Sequence, residues 1–168
     1  MTAQPETGAG HGRRRFGVLT PLLLLALVAG AIVAVVMVRD RDGRLDAIKA
    51  ADEAARQVAL HMVTYDSESL DTDFAWVKDD GTEEFAETFQ EPSDQVREMA
   101  AATGAHSEGV VIASGVHVVN ANKAEVVVAL DSEITQRSKL TPDPQRWRLR
   151  LTMVRQGDRW LVDKLELL

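Results

Sequence analysis

The chain has 168 residues, 45% hydrophobic and 27% charged, with a formal net charge of −7 and no cysteine. That length fits one domain of ordinary size and not two. The missing cysteines exclude a disulfide framework, Cys-ligated zinc, iron–sulfur clusters and thiol catalysis.

Residues 1–15 read as a disordered basic tail, small and polar up to Gly12 and closing on Arg13, Arg14 and Arg15. Phe16 to Val38 is an uncharged run of 23 residues. As a helix it reaches about 35 Å, against a hydrocarbon core of about 30 Å. Pro21 falls in its first turns, where a lost backbone donor costs little. A cleaved signal peptide is the competing account, with Ala29-Gly30-Ala31 as a small-residue cleavage pattern. The apolar run continues seven residues beyond Ala31, and the expectation is an uncleaved transmembrane helix over 16–38, in contact with the lipid bilayer. Residues 39–44 form a charged juxtamembrane linker.

Orientation does not follow from charge counting, because three arginines precede the helix and Arg39, Arg41 and Arg44 follow it. A folded domain after a single anchor is commonly exported, so the tail is expected in the cytoplasm and the domain, 45–168, outside it. Residues 1–44 carry a net charge of +3 and the remaining 124 residues one of −10. Nucleic acid repels a domain that acidic, and nucleic-acid binding is excluded as a function.

The domain opens with a helical pattern: Leu45, Ile48, Ala51, Ala55, Val58, Met62 and Tyr65 recur at steps of three and four. Asp52 and Arg56 stand at i,i+4 on the other side. Asp71 is placed to cap a short helix carrying Phe74, Trp76 and Val77, closed by Asp79-Asp80-Gly81. Thr82 caps the next, with Glu83 and Glu84 in its first turn and Phe85, Phe89, Val96 and Met99 on its buried side. Pro92 kinks that helix or starts a new one.

After Thr103-Gly104 the period changes to two. Strands are predicted over 110–120, 123–135, 146–156 and 159–167, with hairpin turns at Asn120-Ala121-Asn122 and Gly157-Asp158. Gly115 suggests a bulge in the first strand, and Thr141-Pro142-Asp143-Pro144 a longer loop. The order is α+β, helices packed on one face of a curved antiparallel sheet.

Catalytic and metal motifs are lacking. His11, His61, His106 and His117 form neither HExxH nor a metal-spaced pair, and no nucleophile elbow, Walker loop or dinucleotide fingerprint occurs. Twelve acids between Asp66 and Glu98 face only Lys78 and Arg97. Asp71 and Asp73 lack the glycine and distal glutamate of an EF-hand loop, so these acids read as caps and solvated faces. The third strand alternates Trp147, Leu149, Leu151 and Met153 with Arg146, Arg148, Arg150 and Thr152. The three arginines are the candidate contact row for an acidic partner or for the domain's own acidic helices. The simpler account is an exposed strand face that discourages edge pairing. Trp147 and Trp160 read as core.

The basic tail, the single apolar run, the Ala-rich helix, and Tyr65-Asp66 with Leu70-Asp71-Thr72-Asp73-Phe74 together resemble the Mce-associated membrane proteins of actinobacteria. Arg148-Leu149-Arg150-Leu151-Thr152-Met153-Val154 followed by Gly157-Asp158-Arg159-Trp160-Leu161-Val162 is similar to that family's ending. The resemblance implies a cone-shaped domain like nuclear transport factor two, a cell-envelope location, and association with Mce complexes that move lipids or sterols. It offers no catalytic residue, and no cofactor is expected. The function expected is that of a non-enzymatic accessory protein that scaffolds or stabilises an Mce-type import complex. A carrier whose cone holds an apolar ligand is the first rival. The second is an enzyme like ketosteroid isomerase, with Tyr65 as its phenol.

Overall fold

The computed structural model of the protein describes Gly30, Met37 and residues 43–168. Apart from those first two residues, the expected tail, membrane helix and most of the linker lie outside the described residues. Among the described residues no helix is long and apolar enough to cross a membrane. The compact unit is Arg44–Leu168.

Helix α1 (43–63) buries a stripe of small and β-branched residues, Ala51, Ala55, Val58, Ala59 and Val63. Leu45 is 54% exposed, ahead of Ala47, the first residue of the helix packed on the core. Strand β1 (Tyr65–Asp66) pairs with the first residues of β2 (His106–Asn120). Two short helices, α2 (Leu70–Asp73) and α3 (Trp76–Asp79), stand where one was expected. Ser69, not Asp71, occupies the cap position of α2. The carboxylate that ties this turn together is Asp73, which accepts from the Asp66 N–H at 2.8 Å and the Ser69 hydroxyl at 2.7 Å.

Helix α4 (Glu83–Thr103) begins as predicted, with the Phe85 N–H donating to Thr82 Oγ1 at 3.1 Å. It continues through Pro92, which starts no new helix. The proline removes one intrahelical bond, and burial of Phe85, Ser93 and Ala100 along the inner side holds the helix across it. Gly104 ends α4 with φ at 60°, a left-handed conformation in which a glycine carries no steric cost.

Strands β2, β3 (Lys123–Gln136), β4 (Lys139–Gln156) and β5 (Arg159–Leu167) form an antiparallel meander in the order β1-β2-β3-β4-β5, curled into a half-barrel. Its inner face carries Ala124, Val126, Val128, Leu130, Leu149, Leu151 and Met153, each at most 1% exposed. The alternate residues Glu125, Val127, Ala129 and Asp131 of β3 face the other way, in register with Thr152, Arg150, Arg148 and Arg146 of β4.

Three details differ from the sequence expectation. The bulges of β2 fall at Ile112 and Val119, while Gly115 pairs regularly with Val127. Strand β2 starts at His106 rather than Val110, because His106 and Ser107 are bound by β1 on one side and β3 on the other. Thr141 to Pro144 is not a loop: Glu133 pairs with Pro144 and Ile134 with Asp143, and the turn lies at Arg137-Ser138. Strand β5 reaches only to Leu149. The Arg148 carbonyl accepts from the Leu168 N–H on that side. By alternation the nitrogen of Pro144 faces the same, unpaired side, where a missing donor is harmless.

A bulge at Asp163 of β5 ties the sheet to the helices. Thr82 N–H donates to the Val162 carbonyl and Val162 N–H to the Asp80 carbonyl, both at 2.8 Å, and the Thr82 hydroxyl donates to Asp163 Oδ1 at 3.3 Å. Gly81 sits at this crossing against the Val77 carbonyl and the Phe85 ring, where a Cβ has no room.

Candidate functional site

Between α4 and the inner face of the sheet lies a cavity of about 390 Å³. Ala100 and Ala105, each 2% exposed, provide the space, since larger side chains at these positions would fill it. The walls are aromatic and aliphatic. Phe74, Trp76 and Phe89 come from the helices, Tyr65 from β1 and Trp147 from β4, with the thioethers of Met62 and Met99. Phe89 stacks on Phe85 with centroids 5.0 Å apart and lies 5.6 Å from Trp76. Tyr65 and Phe74 are 6.0 Å apart. The lining is deep at Trp76 and Ala100 and open at Val96 and Met99, which are 37% and 63% exposed.

The serines in the wall are already engaged, as is the Trp147 indole. Ser107 donates to the Val63 carbonyl at 2.6 Å, Ser93 to the Gln90 carbonyl at 2.8 Å, and Trp147 Nε1–H to Ser132 Oγ at 3.0 Å. The Trp76 indole N–H is buried and has no partner. Among the described residues no aspartate, glutamate, histidine, lysine or arginine lines the cavity. Its one titratable group is the Tyr65 phenol, which burial pushes above its ordinary value against a hydrogen bond with Ser107 that lowers it. The phenol is therefore protonated at neutral pH, and the wall is uncharged.

Arg146, Arg148 and Arg150 lie on the opposite face of the sheet, all exposed. They share one face of β4 at alternate positions, as the spacing implied. Arg146 pairs in register with Asp131, the Arg148 guanidinium donates to the Trp147 carbonyl at 2.7 Å, and Arg150 lies 4.0 Å from Glu166. No ion pair among the described residues joins them to the acidic helices. Those helices meet other cations: Arg97 with Asp71 and Asp94, and Arg159 with Asp80. Trp160 is in the core, as read from the sequence, whereas Trp147 is only partly buried and lines the cavity.

One polar cluster escaped the sequence reading. His106 Nδ1 lies 3.0 Å from Asp66 and its Nε2 3.2 Å from Glu108. The signal for half of it was present, since His106 and Glu108 share one face of a strand. Asp66 enters only through the β1–β2 pairing. His61 lies 3.6 Å from Asp80, and no cluster of ligands suited to a metal occurs among the described residues.

Solved structures share this architecture. An IcmL-like type IV secretion system protein from Legionella pneumophila superposes with a TM-score of 0.61 at 8% identity, covering 70% of this chain and 88% of that one. The periplasmic domain of DotI also gives 0.61, at 14% identity, over 71% of this chain and 93% of that one. The TraE protein, in complex with 2-(2-furyl)isonicotinic acid, gives 0.53 at 15% identity, over 68% and 91%. At these identities the likeness is one of fold. In sequence, the chain is 27% identical to the uncharacterized protein Rv1363c of Mycobacterium tuberculosis, across 97% of this chain and 67% of that protein. Residues 18–168 match the family described as uncharacterized protein Rv1363c/MT1408-like, and the chain belongs to that family.

Proposed function

We propose that this protein is a single-pass membrane accessory protein that acts by binding rather than by catalysis. Its domain, a cone of the nuclear transport factor two kind, would stand outside the cytoplasm and hold or stabilise an Mce-type lipid or sterol import assembly. The observation that carries the reading is the exposed row of Arg146, Arg148 and Arg150, which no ion pair among the described residues joins to the domain's own acidic helices. The uncharged run 16–38 supports the anchor. The fold shared with the periplasmic domain of DotI supports the side of the membrane. The Mce assignment rests on the resemblance of the motifs around Tyr65 and Arg148.

Co-purification from the native membrane, followed by mass spectrometry of the solubilised complex, tests it. Mce-type transporter components are expected with the wild-type chain. Their absence from a well-solubilised sample would overturn the assignment.

A second reading is favoured by the cavity itself: the domain holds an apolar ligand between α4 and the sheet. An isomerase-like enzyme finds less support. Such chemistry needs a carboxylate base beside the substrate, and the lining has none. Retention of sterol isomerisation by wild-type protein and its loss in Tyr65→Phe would reverse that judgement.

A further inference from the structure

The cavity wall carries more information than its apolarity, because it is uncharged, its serine hydroxyls are already hydrogen-bonded, and it is set in a strongly acidic domain. We infer that the cavity takes an uncharged, largely hydrocarbon molecule with a flat ring system, and rejects the anionic form of the same scaffold. This rests on the ligand-holding reading above and specifies the class of ligand.

Three observations carry it. First, the volume of about 390 Å³ lies within the range of roughly 300–1,000 Å³ that small-molecule sites occupy. Second, no lysine, arginine or histidine lines it. An anionic group carried inside would lose its water without gaining a counter-charge, and burial of an unpaired charge is strongly unfavourable. The surrounding field adds to this, for residues 45–168 carry a net charge of −10. Third, five aromatic side chains line it. Tyr65, Phe74, Trp76, Phe89 and Trp147 suit another ring, since aromatic groups pack favourably in offset or tilted pairs. Met62 and Met99 adjust to its outline. The serines add no demand for a polar ligand, since each already has a hydrogen-bond partner in the protein.

The test compares two dyes on one scaffold, neutral N-phenyl-1-naphthylamine and anionic 8-anilinonaphthalene-1-sulfonate, titrated into the full chain in lipid nanodiscs. All three tryptophans of the chain lie in the domain, and two of them line the cavity, so energy transfer from tryptophan reports occupancy. Ala100→Phe fills the cavity. Met99→Arg charges its mouth at a 63%-exposed position, where an arginine can reach water, and a thermal melt checks that the variant is folded. The neutral dye is expected to saturate with wild-type protein, to bind at least tenfold tighter than the sulfonate, and to lose at least tenfold in both variants. The two variants also subtract any signal from dye in the lipid. Equal or tighter binding of the sulfonate would overturn the uncharged class and leave the ligand site standing. Binding of neither dye in a variant-sensitive way would overturn the site, and with it the ligand-holding reading.

Discussion

His106 and Asp66 face each other across the shortest strand pairing in the sheet, Nδ1 to Oδ2 at 3.0 Å, with Glu108 on the other ring nitrogen at 3.2 Å. Hydrogen bonds to carboxylates on both nitrogens suit the protonated ring. Glu108 and then Asp66 raise His106 above the usual histidine value, against a partial desolvation that lowers it. The Glu68 N–H, and after it His106, hold Asp66 below the ordinary carboxylate range. The pair fastens β1, which carries Tyr65, to the start of β2.

A histidine raised on folding stabilises fully below its unfolded value of about 6.5, and that contribution is lost as pH rises through the folded value. A lowered aspartate contributes above its unfolded value of about 4 and loses this as pH falls. The clasp is therefore strongest between these limits. Both side chains are more than a third exposed, so solvent screens the effect and it is small. The thermal midpoint of wild-type protein should fall from pH 6 to pH 8.5 by more than that of His106→Gln. Parallel pH profiles for the two proteins would show that the clasp does not form.

Thr82 does two jobs at the crossing of helix and sheet. It caps α4 through Phe85 and donates to Asp163 on the bulge of β5. Thr82→Ala should destabilise the domain by about 1–2 kcal/mol, the usual loss for a cap plus part of a second hydrogen bond. Thr82→Ser should keep most of it. Denaturant unfolding of the three proteins measures the difference, and equal midpoints for Ala and Ser would rule the cap out as a source of stability.

Gly81 and Gly115 should respond oppositely to substitution. A Cβ at Gly81 would overlap the Val77 carbonyl and the Phe85 ring, neither of which can move without opening the core. A Cβ at Gly115 meets nothing within 4 Å, and its strand pairing is regular. Gly81→Ala should therefore cost on the order of 2 kcal/mol or more. Gly115→Thr should stabilise by up to about 1 kcal/mol through strand propensity. A destabilised Gly115→Thr would mean that this glycine is needed for a curvature its register does not show.

What the sequence made legible was local. The period of two from Lys123 to Thr135, the Thr82 cap and the Gly157-Asp158 turn each involve neighbours along the chain, and each reappears in the structure. The misreadings come from residues whose state a distant strand decides. Pro144 looks like loop until β5 stops short of it and leaves it a free edge. Gly115 looks like a bulge, yet the extra residues are Ile112 and Val119, neither of which has a distinctive sequence signal. The cavity was the least legible feature. Ala100 and Ala105 matter because they are small among the aromatic rings of the lining, and smallness marks a cavity only once the surrounding residues are known.

The arginine row gives the proposed partner its clearest test, because its two accounts differ in what charge reversal does. If the row only keeps the stretch of β4 that β5 leaves uncovered from pairing, glutamates in place of Arg146 and Arg148 preserve that role, since any charge on an edge opposes pairing, and Arg150, already paired with Glu166 of β5, takes no part in it. If they dock an acidic surface, reversal turns attraction into repulsion. Exposed pairs such as Arg150 with Glu166 contribute roughly 1 kcal/mol or less, so the fold should tolerate the change with a loss of about 1 kcal/mol. Opposed charges at an interface act mainly on encounter and specificity, and rejection of the reversed surface should be strong. The triple variant is expected to stay folded, its unfolding midpoint lowered by only a few degrees, while losing the partner recovered with wild-type protein from the native membrane. Restoring binding with a charge-reversed partner would locate the contact. Undiminished recovery by the triple variant would assign the row to edge protection and move the search for the interface elsewhere on the domain.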